Sequence, residues 1–227
     1  MPIRILIADD HNVVRQGLRM FLSLDAELEV VGEAGDGAEA VHLAKALKPD
    51  VVLMDLIMPV MDGTAAIREI RRELPEVEVI ALTSVLEDAS VMGAIRAGAM
   101  GYMLKDTQAE ELCRAIKAVA CGQVQLSPHA MARLMREVQG SELPKPKEAL
   151  SERETQVLCL LAEGQSNKAI ATRLHIGEAT VKSHVSNILA KLGMASRTQA
   201  ALYAVQANLV AEGCLRRPSE ETPSAPK

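Results

Sequence analysis

Five times in the first half of the chain a short apolar run gives way to a stretch of helical periodicity, and that alternation leaves few folds open. The runs IRILIA (3–8), EVVGEA (29–34), VVLM (51–54), VEVIAL (77–82) and MGYML (100–104) are rich in β-branched and apolar residues, as strands buried on both faces of a parallel sheet must be. Between them, Val14, Leu18, Phe21 and Leu22 share one helical face. So do Val41, Ala44 and Leu47, then Ala66, Ile67 and Ile70, then Val91, Ala94 and Ile95, and last Leu112, Ala115, Ile116 and Val119. Strand-helix units in this order predict an α/β fold, a (βα)5 doubly wound parallel sheet with right-handed crossovers.

After Cys121 the pattern changes. Ser127 and Pro128 read as an N-cap with proline at the first helical position, so 128–138 is expected as a short helix. The segment GSELPKPK (140–147) reads as a linker. From Leu150 onward no strand-like run appears. Ser151 with Glu154 forms a capping-box pattern, Gly164 is placed to end that helix, 167–174 and 179–192 supply two more, and Ser196 with Gln199 caps a fourth. Residues 216–227 hold three prolines and no apolar run, a composition that predicts disorder. The expected organisation is a sheet domain over 1–121, a linker over 122–148, a small all-α domain over 149–212 and a tail over 213–227.

A chain of 227 residues with 48% hydrophobic content can bury the core such domains need. No stretch approaches the ~18 consecutive apolar residues of a membrane span, and the apolar start is too short for a signal peptide. A cytoplasmic location and no membrane partner are expected. Cys113, Cys121, Cys159 and Cys214 have no CxxC or metal spacing, which favours reduced, packing cysteines. Residues 1–121 carry 12 Lys and Arg against 20 Asp and Glu, whereas the remainder carries 13 against 10. That imbalance predicts two different jobs.

The chemistry gathers at strand ends. Asp9, Asp10, Asp55, Thr83 and Lys105 each stand where an apolar run stops, and the carboxyl ends of parallel strands share one edge of a sheet. One such residue alone is more often a strand cap; five together imply one site. Three close carboxylates need a cation, and hard oxygen donors suit Mg2+, which commonly bridges carboxylate to phosphate. Asp55 is the candidate nucleophile toward a phosphoryl group, with an aspartyl phosphate as product. Thr83 and Lys105 would donate to the phosphoryl oxygens.

The stretches ILIADDH, VVLMDLIMPVMDG, ALTS and GYMLKD resemble the receiver domain of two-component response regulators over about residues 3–121. That resemblance implies that Asp55 is the phospho-acceptor and that Asp9, Asp10, Asp55 and the Ile57 carbonyl hold Mg2+. It also implies that Thr83 is the switch hydroxyl, that Lys105 contacts the phosphoryl group, and that Tyr102 is the aromatic that reorients with it. Asp106 stands where many receivers have proline.

In the C-terminal part, two helices joined by His175, Ile176, Gly177 and Glu178 have helix-turn-helix spacing. The second carries an apolar stripe of Val181, Val185, Ile188, Leu189 and Leu192, opposite Ser183, Ser186 and Ala190, with Lys182 on one edge and His184, Asn187 and Lys191 on the other. Such a face suits a major groove, and it equally suits solvent. LSERETQVLCLLAEGQSNKAIATRL, TVKSHVSNILAKLG and SRTQAA resemble the DNA-binding domain of NarL/FixJ (LuxR-type) regulators over 149–207. The resemblance implies that Lys182, Ser183 and Ser186 read bases and that Thr180, His184, Asn187 and Lys191 contact the DNA backbone. Gly177 departs from the Ser or Thr common before the reading helix, so a cap is expected to be missing there. The segments LTSVLED and HVSNILAKL most resemble the cell-envelope-stress (LiaR/VraR-like) branch.

Between positions 148 and 215 six Lys and Arg face six Asp and Glu, too even a balance for one copy to bind DNA tightly at cellular salt. The last helix is apolar nearly all round, which asks for two packing partners, its own domain and a second protomer. The expected function is a transcription regulator, not an enzyme, phosphorylated on Asp55 by a sensor histidine kinase and binding double-stranded promoter DNA as a homodimer that phosphorylation favours. A phosphohydrolase using the same carboxylates would need an Asp where Ile57 stands. A constitutive binding protein would ignore phosphate.

Overall fold

The computed structural model of the chain describes residues 1–84, 88–126, 130, 148–194, 196–207 and 209. The expected helix over 128–138, the linker at 140–147 and the tail at 213–227 lie outside them, apart from Ala130. The strands are β1 (Ile3–Ala8), β2 (Leu28–Ala34), β3 (Val51–Asp55), β4 (Glu78–Thr83) and β5 (Gly101–Leu104). They alternate with α1 (Asn12–Leu22), α2 (Gly37–Leu47), α3 (Gly63–Glu73), α4 (Asp88–Ala97) and α5 (Ala109–Ala120). Every pairing is parallel, in the order β2-β1-β3-β4-β5-β6. The sixth strand is a departure from the five expected. β6 (Gln125–Leu126) adds to the β5 edge with Leu126 opposite Tyr102, and two residues are too few to leave a periodic signal.

Each face of the sheet packs its own apolar layer. Leu6, Val52, Met54, Ile67 and Ile95 fill one, and Ile5, Leu53, Ile80, Leu112 and Ile116 fill the other. Local chemistry sets where the helices begin. Asp36 accepts from the Glu39 N–H at 2.9 Å and Asp62 from the Ala65 N–H at 2.8 Å, satisfying orphan donors at the starts of α2 and α3.

The C-terminal unit comprises α6 (Glu152–Ala162), α7 (Asn167–Leu174), α8 (Glu178–Leu192) and α9 (Arg197–Gln206). The Ser151–Glu154 capping box opens α6, Gly177 caps α8 with no side-chain bond, and Ser196 caps α9. Val157, Leu161, Ile170, Val181, Ile188 and Ala200 form its core. The second partner of α9 in this chain is the sheet domain. Leu202 packs against that domain's core, the Gln199 amide donates to the Arg96 carbonyl at 3.1 Å, and Thr198 Oγ1 lies 4.0 Å from Met100 Sδ.

Candidate functional site

β1 lies between β2 and β3, so the crossover direction reverses beside it and a crevice opens at the carboxyl ends of β1 and β3. Ala8 pairs with Met54 and Asp55 with Leu82, which brings Asp9, Asp55 and Thr83 to one edge. Asp55 is the last residue of β3 rather than the first beyond it. The loop after it is held closely. Gly63, at the start of α3, donates its N–H to the Leu56 carbonyl at 3.0 Å, and a Cβ there would stand 1.9 Å from the Asp55 carbonyl oxygen. Only glycine allows that approach. Val60, in the same loop, takes a left-handed φ of 65° while exposed, a conformation a β-branched residue adopts only under constraint.

The carboxylates share one cation. Lys105 Nζ lies 2.7 Å from Asp9 Oδ2 and 2.7 Å from Asp55 Oδ2. Burial pulls the Lys105 ammonium down, but its hydrogen bonds to Asp55 and Asp9 outweigh that and hold its pKa above the ordinary value. Asp55 Oδ1 accepts from the Ile57 N–H at 3.2 Å. Asp9, Asp55 and Thr83 are buried and Asp10 is exposed. Tyr102 is fully buried in the layer that also contains Leu126 and Ala130.

Five expected residues therefore meet at one edge, and a sixth joins them. His11, to which the sequence motif assigns no role, completes a group with Asp9, Asp10 and Asp55 whose ligand atoms lie within 4.8 Å of one another. Two buried carboxylates already draw an ammonium between them, and the exposed Asp10 leaves the crevice open. The three carboxylates of this group fit a hard divalent cation.

The expected DNA-reading face looks onto the sheet domain across a cavity. Lys182, Ser183 and Ser186, all exposed, line that cavity of about 260 Å3, whose other walls include Arg71, Glu76, Glu78 and Arg197. Thr180 and Asn187 are also exposed and His184 is half-buried. Lys191 pairs with Glu154 at 2.8 Å, so it supports the α6 capping box. At the junction the Asn167 N–H donates to the Cys121 carbonyl at 3.3 Å, and the Arg197 guanidinium donates to Asn167 Oδ1 at 2.5 Å and to the Gln165 carbonyl. Burial lowers the Arg197 pKa to about 10 against the opposing pull of Glu78. Burial likewise raises the Glu78 carboxyl, resisted by Arg71, Arg197 and Lys182. Arg71 Nη1 lies 2.9 Å from Glu78 Oε2 but out of hydrogen-bond alignment, and it also donates to the Val77 carbonyl. Sequence reasoning misses Arg71 and Glu78, paired within the sheet domain, and Asn167 and Arg197, bonded within the C-terminal unit, which docking brings to one cavity.

Residues 5–117 match the family described as response regulator receiver domain, and residues 148–204 match the bacterial regulatory proteins of the luxR family. The transcriptional regulatory protein LiaR of Bacillus subtilis is 46% identical over 92% of this chain and 99% of its own length. The response regulator VraR of Staphylococcus aureus is 42% identical over 92% and 100%. Among solved structures, the response regulator ChrA of a heme-sensing two-component system aligns with a TM-score of 0.51 and 39% identity, covering 92% of this chain and 98% of that one. RcsB, solved as two dimers bound to two parallel DNAs, aligns at 0.55 and 27%, covering 91% and 99%. Among the described residues no helix is long and apolar enough to cross a membrane.

Proposed function

Because this chain belongs to the response regulators that join a receiver to a LuxR-type DNA-binding domain, we propose that it is a phosphorylation-dependent transcription regulator. Residues 1–121 act as the receiver and 149–212 as the DNA-binding domain. A sensor histidine kinase supplies the phosphoryl group and promoter DNA is the target. The observation that carries this reading is Asp55 in contact with Lys105 at the carboxyl ends of the strands, with Asp9 on the same ammonium.

An Asp55 carboxylate oxygen attacks phosphorus while the bond to the donor breaks. Lys105 moves from the carboxylate to a phosphoryl oxygen, and the Thr83 hydroxyl donates to another. Mg2+, when bound, would neutralise charge on the transferred group, and Asp9, Asp10, Asp55 and the Ile57 carbonyl would hold it. Withdrawing Lys105 and Thr83 toward the phosphoryl group perturbs β4 and β5, where Tyr102 pairs with Leu126 and Met100 touches Thr198. The packing of α9 on the receiver weakens, and the exposed Lys182, Ser183 and Ser186 gain clearance from the receiver surface across the cavity, so that a DNA groove can reach them. Val13, Gly17, Met20 and Leu24 form one exposed row along α1 and just beyond it, a surface suited to a second copy. A dimer on a two-part site gains through effective concentration the affinity that a nearly neutral reader lacks.

The test treats wild type and Asp55→Asn with acetyl phosphate and Mg2+. Wild type is expected to gain the mass of one phosphoryl group, dimerise and retain DNA more strongly, while Asp55→Asn does none of these. Equal responses from both would sink the reading.

A further inference from the structure

His11 follows the Asp9-Asp10 pair directly. Its N–H donates to Asp9 Oδ1 at 2.9 Å, which folds the chain back so that ring Nδ1 comes within 2.6 Å of Asp10 Oδ1 and 3.3 Å of Asp9 Oδ1. Asp9 thus divides its oxygens, Oδ1 facing the imidazole and Oδ2 facing Lys105. The placement is not that of a helix cap. As N-cap of α1 it makes no capping bond, and it is 67% exposed. One ligand atom from each of Asp9, Asp10, His11 and Asp55 lies within 4.8 Å of the others. Atoms sharing one ion through bonds of about 2.0–2.2 Å lie at most about 4.4 Å apart, so the group need draw in by only a few tenths of an ångström to share one.

An imidazole changes what such a site selects. Mg2+ favours oxygen donors and retained waters, whereas imidazole nitrogen suits later first-row ions, whose affinity for a mixed N/O site rises toward Ni2+ and Cu2+. We propose that His11 makes the pocket a mixed site in which Asp9, Asp10 and His11 Nδ1 hold a first-row transition ion such as Ni2+ more tightly than Mg2+, in competition with the Mg2+ that supports phosphorylation of Asp55. The proposal rests on the reading of this pocket as a Mg2+-dependent acceptor.

Calorimetric titration of the full-length chain with NiCl2 and with MgCl2, on wild type and His11→Ala, tests this. The visible absorption of the Co2+-loaded protein reports nitrogen ligation independently. Wild type is expected to bind Ni2+ more tightly than Mg2+, and excess Mg2+ to weaken the Ni2+ isotherm. His11→Ala should reduce Ni2+ affinity at least about tenfold, the loss typical of even an outer-shell partner, keep its Mg2+ affinity, and shift the Co2+ band toward oxygen-only ligation. Unchanged Ni2+ affinity in His11→Ala, an unchanged Co2+ spectrum, or no displacement by Mg2+ overturns the proposal and leaves the Mg2+ pocket standing. A wild-type chain that binds neither ion overturns both.

Discussion

Lys105 Nζ lies 2.7 Å from Asp55 Oδ2, so on the proposed function the ammonium that would meet a phosphoryl group is already seated on the carboxylate that would receive it. The same ammonium serves Asp9. Lys105→Ala would leave two buried carboxylates without their shared cation. We expect a loss of roughly 1–3 kcal/mol, less than the ~3–5 kcal/mol of a fully buried broken pair because Lys105 retains some solvent contact. Mg2+ should restore more stability to the variant than it adds to wild type. Urea unfolding with and without MgCl2 measures both, and a variant indifferent to Mg2+ contradicts the shared-cation account.

Gly122 controls the domain junction. It has a left-handed φ of 77°, and a Cβ there would stand 3.1 Å from both Arg197 Nη1 and Asn167 Nδ2. Gly122→Ala is therefore expected to cost about 1–2 kcal/mol in backbone strain and to push α7 and α9 away from the receiver. The unphosphorylated variant should retain DNA more strongly than wild type and scatter X-rays as a more extended particle. Unchanged DNA retention would mean that docking does not limit access to α8.

Acid should loosen the C-terminal domain through Glu154. The Lys191 ammonium, and next the Ser151 backbone N–H, hold this carboxyl at about 2 against an ordinary 4.5. A folded-state pKa below the unfolded one contributes stability that is complete above about 4.5 and is lost as pH falls toward about 2. Glu154→Gln is expected to be less stable at neutral pH, by about 1 kcal/mol for the cap alone, and to show a flatter acid limb. Unfolding followed across that pH range decides it.

Val60 offers a gain. Its left-handed backbone carries an exposed β-branched side chain that loses no core packing when removed. Val60→Gly should raise stability by about 1 kcal/mol, read as a higher thermal midpoint. A lower midpoint would show that the side chain makes a contribution its exposure conceals.

The receiver was legible because buried parallel strands must be apolar and their polar ends then stand out. Asp9, Asp55, Thr83 and Lys105 were each visible as the end of a run, and the sheet brought them together. His11 was not, because a histidine beside two aspartates carries no periodic signal and its ring orientation depends on one backbone hydrogen bond to Asp9. Of the four helices of the reader, Ser151, Ser196 and the apolar stripe of α8 announced three, while the Ser166 cap of α7 passed unread. Their docking was not. Lys182, Ser183 and Ser186 look the same in sequence whether they face DNA or a protein surface bearing Glu76 and Glu78. The apolar circumference of α9 pointed to a second protomer, whereas in this chain Leu202 and Gln199 of that helix contact the receiver.

The two residues of β6 place the chain's exit from the receiver beside Tyr102. Leu126 is paired with Tyr102 and Ala130 is buried in the same apolar layer. A movement of Tyr102 would therefore reach the segment that leads to the C-terminal unit through the backbone, without passing through the docked surface.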